Sequence, residues 1–165
     1  MTSFLPLRIN PGGFIDLLDD VRQHGQRDRE TGALLLTAPG TDEVAVIALT
    51  ADTGIRRRSD LFTITRPAFD SLFTYAEDAG LQVRAMIHSH RGAAFLSATD
   101  RTHGLNLRGF ISAVIPDYAC PSNRPDHWGW WRFNDSWIPT VPATLEESLP
   151  APKIIKFDAE AVHDH

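Results

Sequence analysis

Residues 85–100 read AMIHSHRGAAFLSATD. An apolar run ends in two histidines, His88 and His90, and a short segment leads on to Ser97 and Asp100. In a strand, residues two apart point the same way, with Cα atoms about 6.6 Å apart, so both imidazoles can converge on one ion. Packed among aliphatics without partners, two such rings would cost several kcal/mol, roughly. A divalent cation removes that cost. Zinc takes nitrogen, sulfur and carboxylate ligands in tetrahedral geometry. Two histidines supply half a shell, and Asp100 is the natural third ligand. Ser97-x-x-Asp100 has the form of a helix N-terminus, with Ser97 as cap and Asp100 in the first turn, which gives that carboxylate a defined direction.

Outward from this stretch, the elements alternate. Asn10-Pro11 opens a helix whose apolar stripe is Phe14, Leu17, Leu18 and Val21, with Gly25 as its stop. ETGALLLT (30–37) and EVAVIALT (43–50) read as a hairpin across Pro39-Gly40. Residues 51–60, with Arg56-Arg57-Arg58, read as an exposed, solvated loop. A short strand at 61–65 precedes a second helix from Pro67 to Gly80, and 81–90 is the histidine strand. A short helix over 98–107 and a buried strand over 109–117 follow. Strands at 127–134, 136–141 and 153–157 come next, and the tail beyond is expected to fray. Trp128 and Trp130 share a strand face, so the core takes at least one of them. Interspersed helices and strands predict an α/β (α+β) class, a mixed β-sheet flanked by helices. The expected division is one domain over 1–142 and a C-terminal extension over 143–165, partly extended or frayed.

The 165 residues suffice for one domain with a core, and 42% hydrophobic residues make the composition globular. Sixteen basic and 21 acidic residues give a formal charge of −5, which offers no electrostatic footprint for nucleic acid. The chain has no run long enough to span a membrane and no signal-peptide pattern at its start. The single Cys120 excludes an internal disulfide. A soluble cytoplasmic protein is expected.

A hydrolytic metal centre also needs a base. Glu30 stands out because it begins an otherwise apolar strand, although charge at such a position is also commonly plain solvent exposure. Spacing alone does not bring it to a site 58 residues later.

Together, Glu30, His88-Ser89-His90, Ser97 and Asp100 resemble the motif of the JAB/MPN (JAMM) family of zinc isopeptidases: Glu, then His-Ser/Thr-His, a spacer, and Ser-x-x-Asp. The order of elements from about residue 10 to 135 is similar as well. The spacer here, RGAAFL, has six residues and is shorter than is usual in that family. The resemblance implies an MPN/JAB-like domain in which His88, His90 and Asp100 ligate Zn2+. It makes Glu30 the general acid/base, and Ser97 a donor to the oxyanion. It further implies a bacterial stand-alone enzyme of the kind encoded beside E1-like and E2-like proteins in ubiquitin-like (Bil) or CBASS antiviral defence operons. Its substrate would be the C-terminal tail of a ubiquitin-like protein, or its conjugates. The alternatives are a non-catalytic MPN scaffold and a peptidase or amidase acting on a sulfur-carrier protein or a small amide.

Overall fold

The computed structural model describes residues 5–164. His165, residues 1–4 and the His103 side chain lie outside the described residues. The chain opens with β1 (Arg8–Ile9) and a single 3₁₀ turn at Pro11–Gly13. The Asn10 side chain accepts from the Gly12 N–H at 2.8 Å, capping this turn, and α1 (Phe14–Gly25) continues from it. Then come β2 (Gly32–Thr37), β3 (Val44–Thr50), β4 (Ile55–Arg57) and β5 (Phe62–Ile64). Next are α2 (Arg66–Ala79), β6 (Gln82–Ser89), α3 (Ala98–His103) and β7 (Ile111–Ile115). The last strands are β8 (Gly129–Asn134), β9 (Ser136–Pro139), β10 (Thr144–Leu145), β11 (Lys153–Phe157) and β12 (Val162–Asp164).

Eight of these strands form one mixed sheet in the order β12-β11-β3-β2-β6-β7-β8-β9. The β6–β7 and β3–β11 pairs are parallel, and the rest are antiparallel. All six residues of β2 are buried, as expected of a central strand covered on both faces. Its side chains alternate between two cores. Ala33 and Leu35 meet Phe14, Leu17 and Val21 of α1 on one face. Leu34 and Leu36 meet Ala68, Leu72 and Ala76 of α2 on the other. The α1 stripe is buried as its periodicity foretold; of the stripe expected for α2 (Phe69, Leu72, Phe73 and Ala76), Leu72 and Ala76 are buried, Phe69 is partly buried and Phe73 is exposed. Gly80 closes α2 in the left-handed region at φ 68°, a conformation that glycine adopts without a Cβ penalty. Trp128 and Trp130 are both buried and stack at 6.0 Å in the α1-side core.

Three sequence expectations are corrected. The supposed loop 51–60 contains β4, which pairs with β5 as a small hairpin. Within its arginine run, Arg57 is not solvated. Its guanidinium donates to Thr31 Oγ1 (3.0 Å), Thr50 O (2.8 Å), Thr50 Oγ1 (2.8 Å) and Ala51 O (2.7 Å), stitching β4 to the ends of β2 and β3. The tail is not frayed over its described residues either. β11 adds parallel to β3, with Ile155 and Phe157 buried in the α2-side core, and β12 lies on β11 where fraying was expected. Sequence position alone says nothing of such long-range pairing, because the partner lies about a hundred residues away. Among the described residues, no helix is long and apolar enough to cross a membrane.

Gly32 is the tightest point of the central strand pair. A Cβ there would come within 2.6 Å of the Ile87 carbonyl and 2.7 Å of the Phe62 ring. Gly32→Ala is therefore expected to destabilise the protein by about 1–3 kcal/mol. Urea denaturation, with an unchanged m-value, checks this.

Candidate metal centre

The centre is assembled by strand register. In the antiparallel β2–β6 pair, Gly32 faces His88, so Glu30 lies across from His90 two residues beyond the ladder. The middle serine of His-Ser-His closes that step. Ser89 N–H donates to Thr31 O at 2.9 Å, and Thr31 N–H donates to Ser89 Oγ at 2.9 Å. Ser89 and Thr31 point to the α1 face, while Glu30, His88 and His90 share the α2 face, as period-two alternation requires. Gly32 leaves room beside His88 for the Phe62 ring, which stacks on that imidazole at 6.3 Å. His90 is held on its other side by β7, through His90 N–H to Ile115 O at 2.8 Å.

Asp100 arrives from α3. Ser97 and Asp100 form a reciprocal capping box: Asp100 N–H donates to Ser97 Oγ at 3.0 Å, and Ser97 N–H donates to Asp100 Oδ2 at 2.9 Å. The cap thus fixes the carboxylate that faces the histidines, and the six-residue spacer is long enough to deliver it. His90 Nδ1 lies 3.3 Å from Ala93 O, which orients the ring and leaves Nε2 for the centre. The Phe95 ring meets His90 edge-on at 4.8 Å.

Three ligand atoms then form a nearly equilateral triangle. His88 Nε2 and His90 Nε2 are 3.2 Å apart, and Asp100 Oδ2 lies 3.2 Å from the first and 3.1 Å from the second. Ligands at about 2.0–2.1 Å from a tetrahedral zinc ion are separated by about 3.3 Å. The triangle fits one face of that tetrahedron with little adjustment. Two imidazole nitrogens aimed at each other otherwise share a single proton position, and a cation satisfies both lone pairs. The side chains of His88, His90 and Asp100 are 1%, 7% and 6% exposed, so the donors are already stripped of bulk water. Ligand atoms of Glu30, His88, His90 and Asp100 all lie within 4.8 Å of one another. The cluster is therefore able to bind a metal ion, and its nitrogen–oxygen donor set suits zinc.

Electrostatics separates the two carboxyls. Burial pushes the Glu30 carboxyl up to about 8, with Asp100 and Asp60 adding to the rise and His90 opposing it. Burial also pushes Asp100 upward, but hydrogen bonds from His88 and His90, His88's charge and the Ser97 backbone N–H outweigh it. Asp100 ends well below the usual carboxylate range. His90 is raised: burial opposes its charged form, while the Asp100 hydrogen bond and the Glu30 charge favour it. Glu30 is 3% exposed, and its Oε1 has no hydrogen-bond partner among the described residues. That atom is the one buried carboxylate oxygen of the cluster left over for a proton or a solvent molecule. A cleft of about 300 Å³ opens beside it, bordered by Ser59, Asp60, His90, Arg91, Phe95 and Ser97.

Every residue the sequence proposed for the site, Glu30, His88, His90, Ser97 and Asp100, is in this cluster or on its rim. Sequence reasoning missed Thr31, Gly32, Phe62 and Arg57, which hold the strands in place. Each of these four acts through a partner distant in the chain, so no local spacing marked it.

No family model matches the chain. Among solved structures, the fold is similar to protein DSY2949 from Desulfitobacterium hafniense, with a TM-score of 0.64 at 16% identity over 87% of this chain and 94% of that one. A protein from Salinibacter ruber (strain DSM 13855) aligns over 92% of this chain and 96% of that one, at 21% identity and a TM-score of 0.48. The first is a likeness of fold alone; the second is too loose to add to it.

The raised Glu30 carboxyl has a consequence for stability without metal. A carboxyl shifted from 4.5 unfolded to about 8 folded keeps its proton in the native state while the unfolded chain has lost it. Stability then falls as pH rises through that window. Glu30→Gln, neutral throughout, is expected to stabilise the metal-free protein relative to the parent by a margin that grows from pH 4.5 to 8 and then levels. Thermal melts of both proteins after chelation check this.

Proposed function

We propose that this chain is a zinc-dependent hydrolase of the JAMM type, an isopeptidase or peptidase that cleaves after the C-terminal glycine of a ubiquitin-like protein. The observation that carries this reading is the convergence of His88, His90 and Asp100 at tetrahedral spacing, beside a buried Glu30 whose Oε1 has no hydrogen-bond partner among the described residues. A structural zinc site closes its shell with four protein ligands, whereas a catalytic one keeps a position open. Three close donors and a carboxylate set back from them fit the second pattern. The cleft supports the substrate class: about 300 Å³ between Phe95, Ser97 and Asp60 suits an extended tail of small residues better than bulky side chains.

Bound zinc supplies Lewis acidity at a carbonyl oxygen and lowers the pKa of a water molecule to about 7. This chain's residues supply the remainder. His88 Nε2, His90 Nε2 and Asp100 Oδ2 hold the ion. Glu30 Oε1 accepts a proton from the attacking water and passes it to the departing amine nitrogen. A carbon–oxygen bond forms as the carbon–nitrogen bond breaks, leaving a glycine carboxylate and a free amine. The Ser97 hydroxyl already accepts from Asp100 N–H, and it retains its own O–H to donate to the oxygen of the attacked carbonyl. The exposed Arg91–Asp28 pair, at 3.4 Å on the rim, adds little to stability and is free to rearrange around an incoming chain.

The test pairs metal content with turnover of a ubiquitin-like protein fused through its C-terminal glycine to a reporter. The purified protein is expected to hold about one zinc per chain and to lose cleavage on chelation. Glu30→Gln should keep the metal and lose activity by about 10²–10⁴-fold. His88→Ala should lose both. Cleavage that persists after full chelation, or a Glu30→Gln protein of normal activity, overturns the mechanism.

A further inference from the structure

The hairpin of β4 and β5 ends beside the metal centre, and its tip is fixed on three sides. Arg58 N–H donates to Leu61 O at 2.8 Å and closes the turn. Glu30 N–H donates to Arg58 O at 2.8 Å, which ties the tip to β2. From below, the hydroxyl of Tyr118, a residue only 2% exposed, donates to Ser59 O at 3.4 Å. The two residues carried on this tip, Ser59 and Asp60, both border the cleft of about 300 Å³ that opens at Glu30. A tip held in this way loses little further freedom when a ligand arrives.

The other charged groups of the cleft are engaged. Arg91 meets the Tyr118 hydroxyl and Asp28, the latter at 3.4 Å. Asp100 is held by both histidines and by the Ser97 N–H. Glu30 is buried and driven toward its neutral form. Asp60 differs from all three. It is exposed, and its side chain makes no ion pair or hydrogen bond among the described residues, even with Arg56 and Arg58 close by in sequence. Its charge nevertheless reaches the Glu30 carboxyl and adds to that group's rise, so the carboxylate stands within electrostatic range of the reacting groups. An anion at the mouth of a cleft, fixed in place and unpaired, attracts a cation on an incoming chain and repels a carboxylate.

We propose that Asp60 is a specificity-determining residue that pairs at the mouth of the cleft with a basic side chain of the substrate, an arginine or lysine flanking the scissile glycine. The proposal rests on the hydrolytic reading above and adds to it a charge requirement on the substrate. An arginine fork suits the Asp60 carboxylate best. The cation can come from either side of the scissile bond: from the tail that ends in glycine, or from the chain that carries the amine.

Labelled peptides of about eight residues with a central glycine test this. Arg, Ala or Glu is placed either two residues before that glycine or one residue after it. Binding is read by fluorescence anisotropy on the zinc-loaded Glu30→Gln protein, and turnover is read with the parent. At one placement, Arg is expected to bind about two- to five-fold tighter than Ala and about ten-fold tighter than Glu, and that placement identifies the source of the cation. The preference should shrink with salt. Added to the Glu30→Gln background, Asp60→Asn should abolish it and Asp60→Lys should invert it. Glu147→Lys, the same charge change at an exposed position beside Asn10, should leave it intact. No binding of any peptide up to about 1 mM, equal binding of the Arg and Glu peptides at both placements, an unaltered order in Asp60→Lys, or a preference lost in Glu147→Lys overturns the proposal. Arg-selective binding with no turnover by the parent removes the hydrolase and leaves the cation subsite standing. Glu30-dependent turnover that is indifferent to Asp60 does the reverse.

Discussion

The register between β2 and β6 is the constraint on which the rest of the site depends. Side chains along a strand alternate faces, so a slip of one residue would turn Glu30 to the α1 side and leave His88 and His90 facing no carboxylate from β2. Three local devices hold the register. Ser89 and Thr31 exchange hydrogen bonds just past the last ladder pair. Gly32 admits Phe62 next to His88. Arg57 gathers Thr31, Thr50 and Ala51 from below. Each satisfies polar groups that would otherwise be buried at a cost, so the same bonds that close the core also aim the cluster.

Burying two histidines and two carboxyls at a sheet end is unfavourable on its face. The structure divides that burden unequally. Asp100 is drawn into its charged form by its neighbours and by its own capping box, whereas Glu30 has only His90 in its favour and is driven toward neutrality. Two carboxyls less than 5 Å from one another's neighbours in the cluster thus acquire opposite tendencies from their environments alone. A strained arrangement of this kind is common where chemistry is done and rare where a core merely needs filling. It is the physical basis of the proposed hydrolytic role.

The C-terminal end of β6 carries His88 and leads into His90, and its first residues, Gln82 and Val83, precede the ladder with β7. The parallel β6–β7 pairing puts His90 against the end of β7, through His90 N–H to Ile115 O.

Much of this was legible in the residues themselves. Apolar stripes at helical spacing marked α1 and α2, Gly80 marked a helix end, and the alternation around 81–90 put both histidines on one face, because these patterns depend only on local geometry. Ser97-x-x-Asp100 announced a capped helix for the same reason. The residues could not say that Glu30 would lie opposite His90, that Arg57 would be buried in a run of three arginines, or that the C-terminal strands would complete the sheet beside β3. Those facts are pairings between segments tens of residues apart, chosen by which faces bury together and which backbone groups find partners. Local sequence carries the chemistry of each side chain and its direction; only the closed sheet decides which side chains meet.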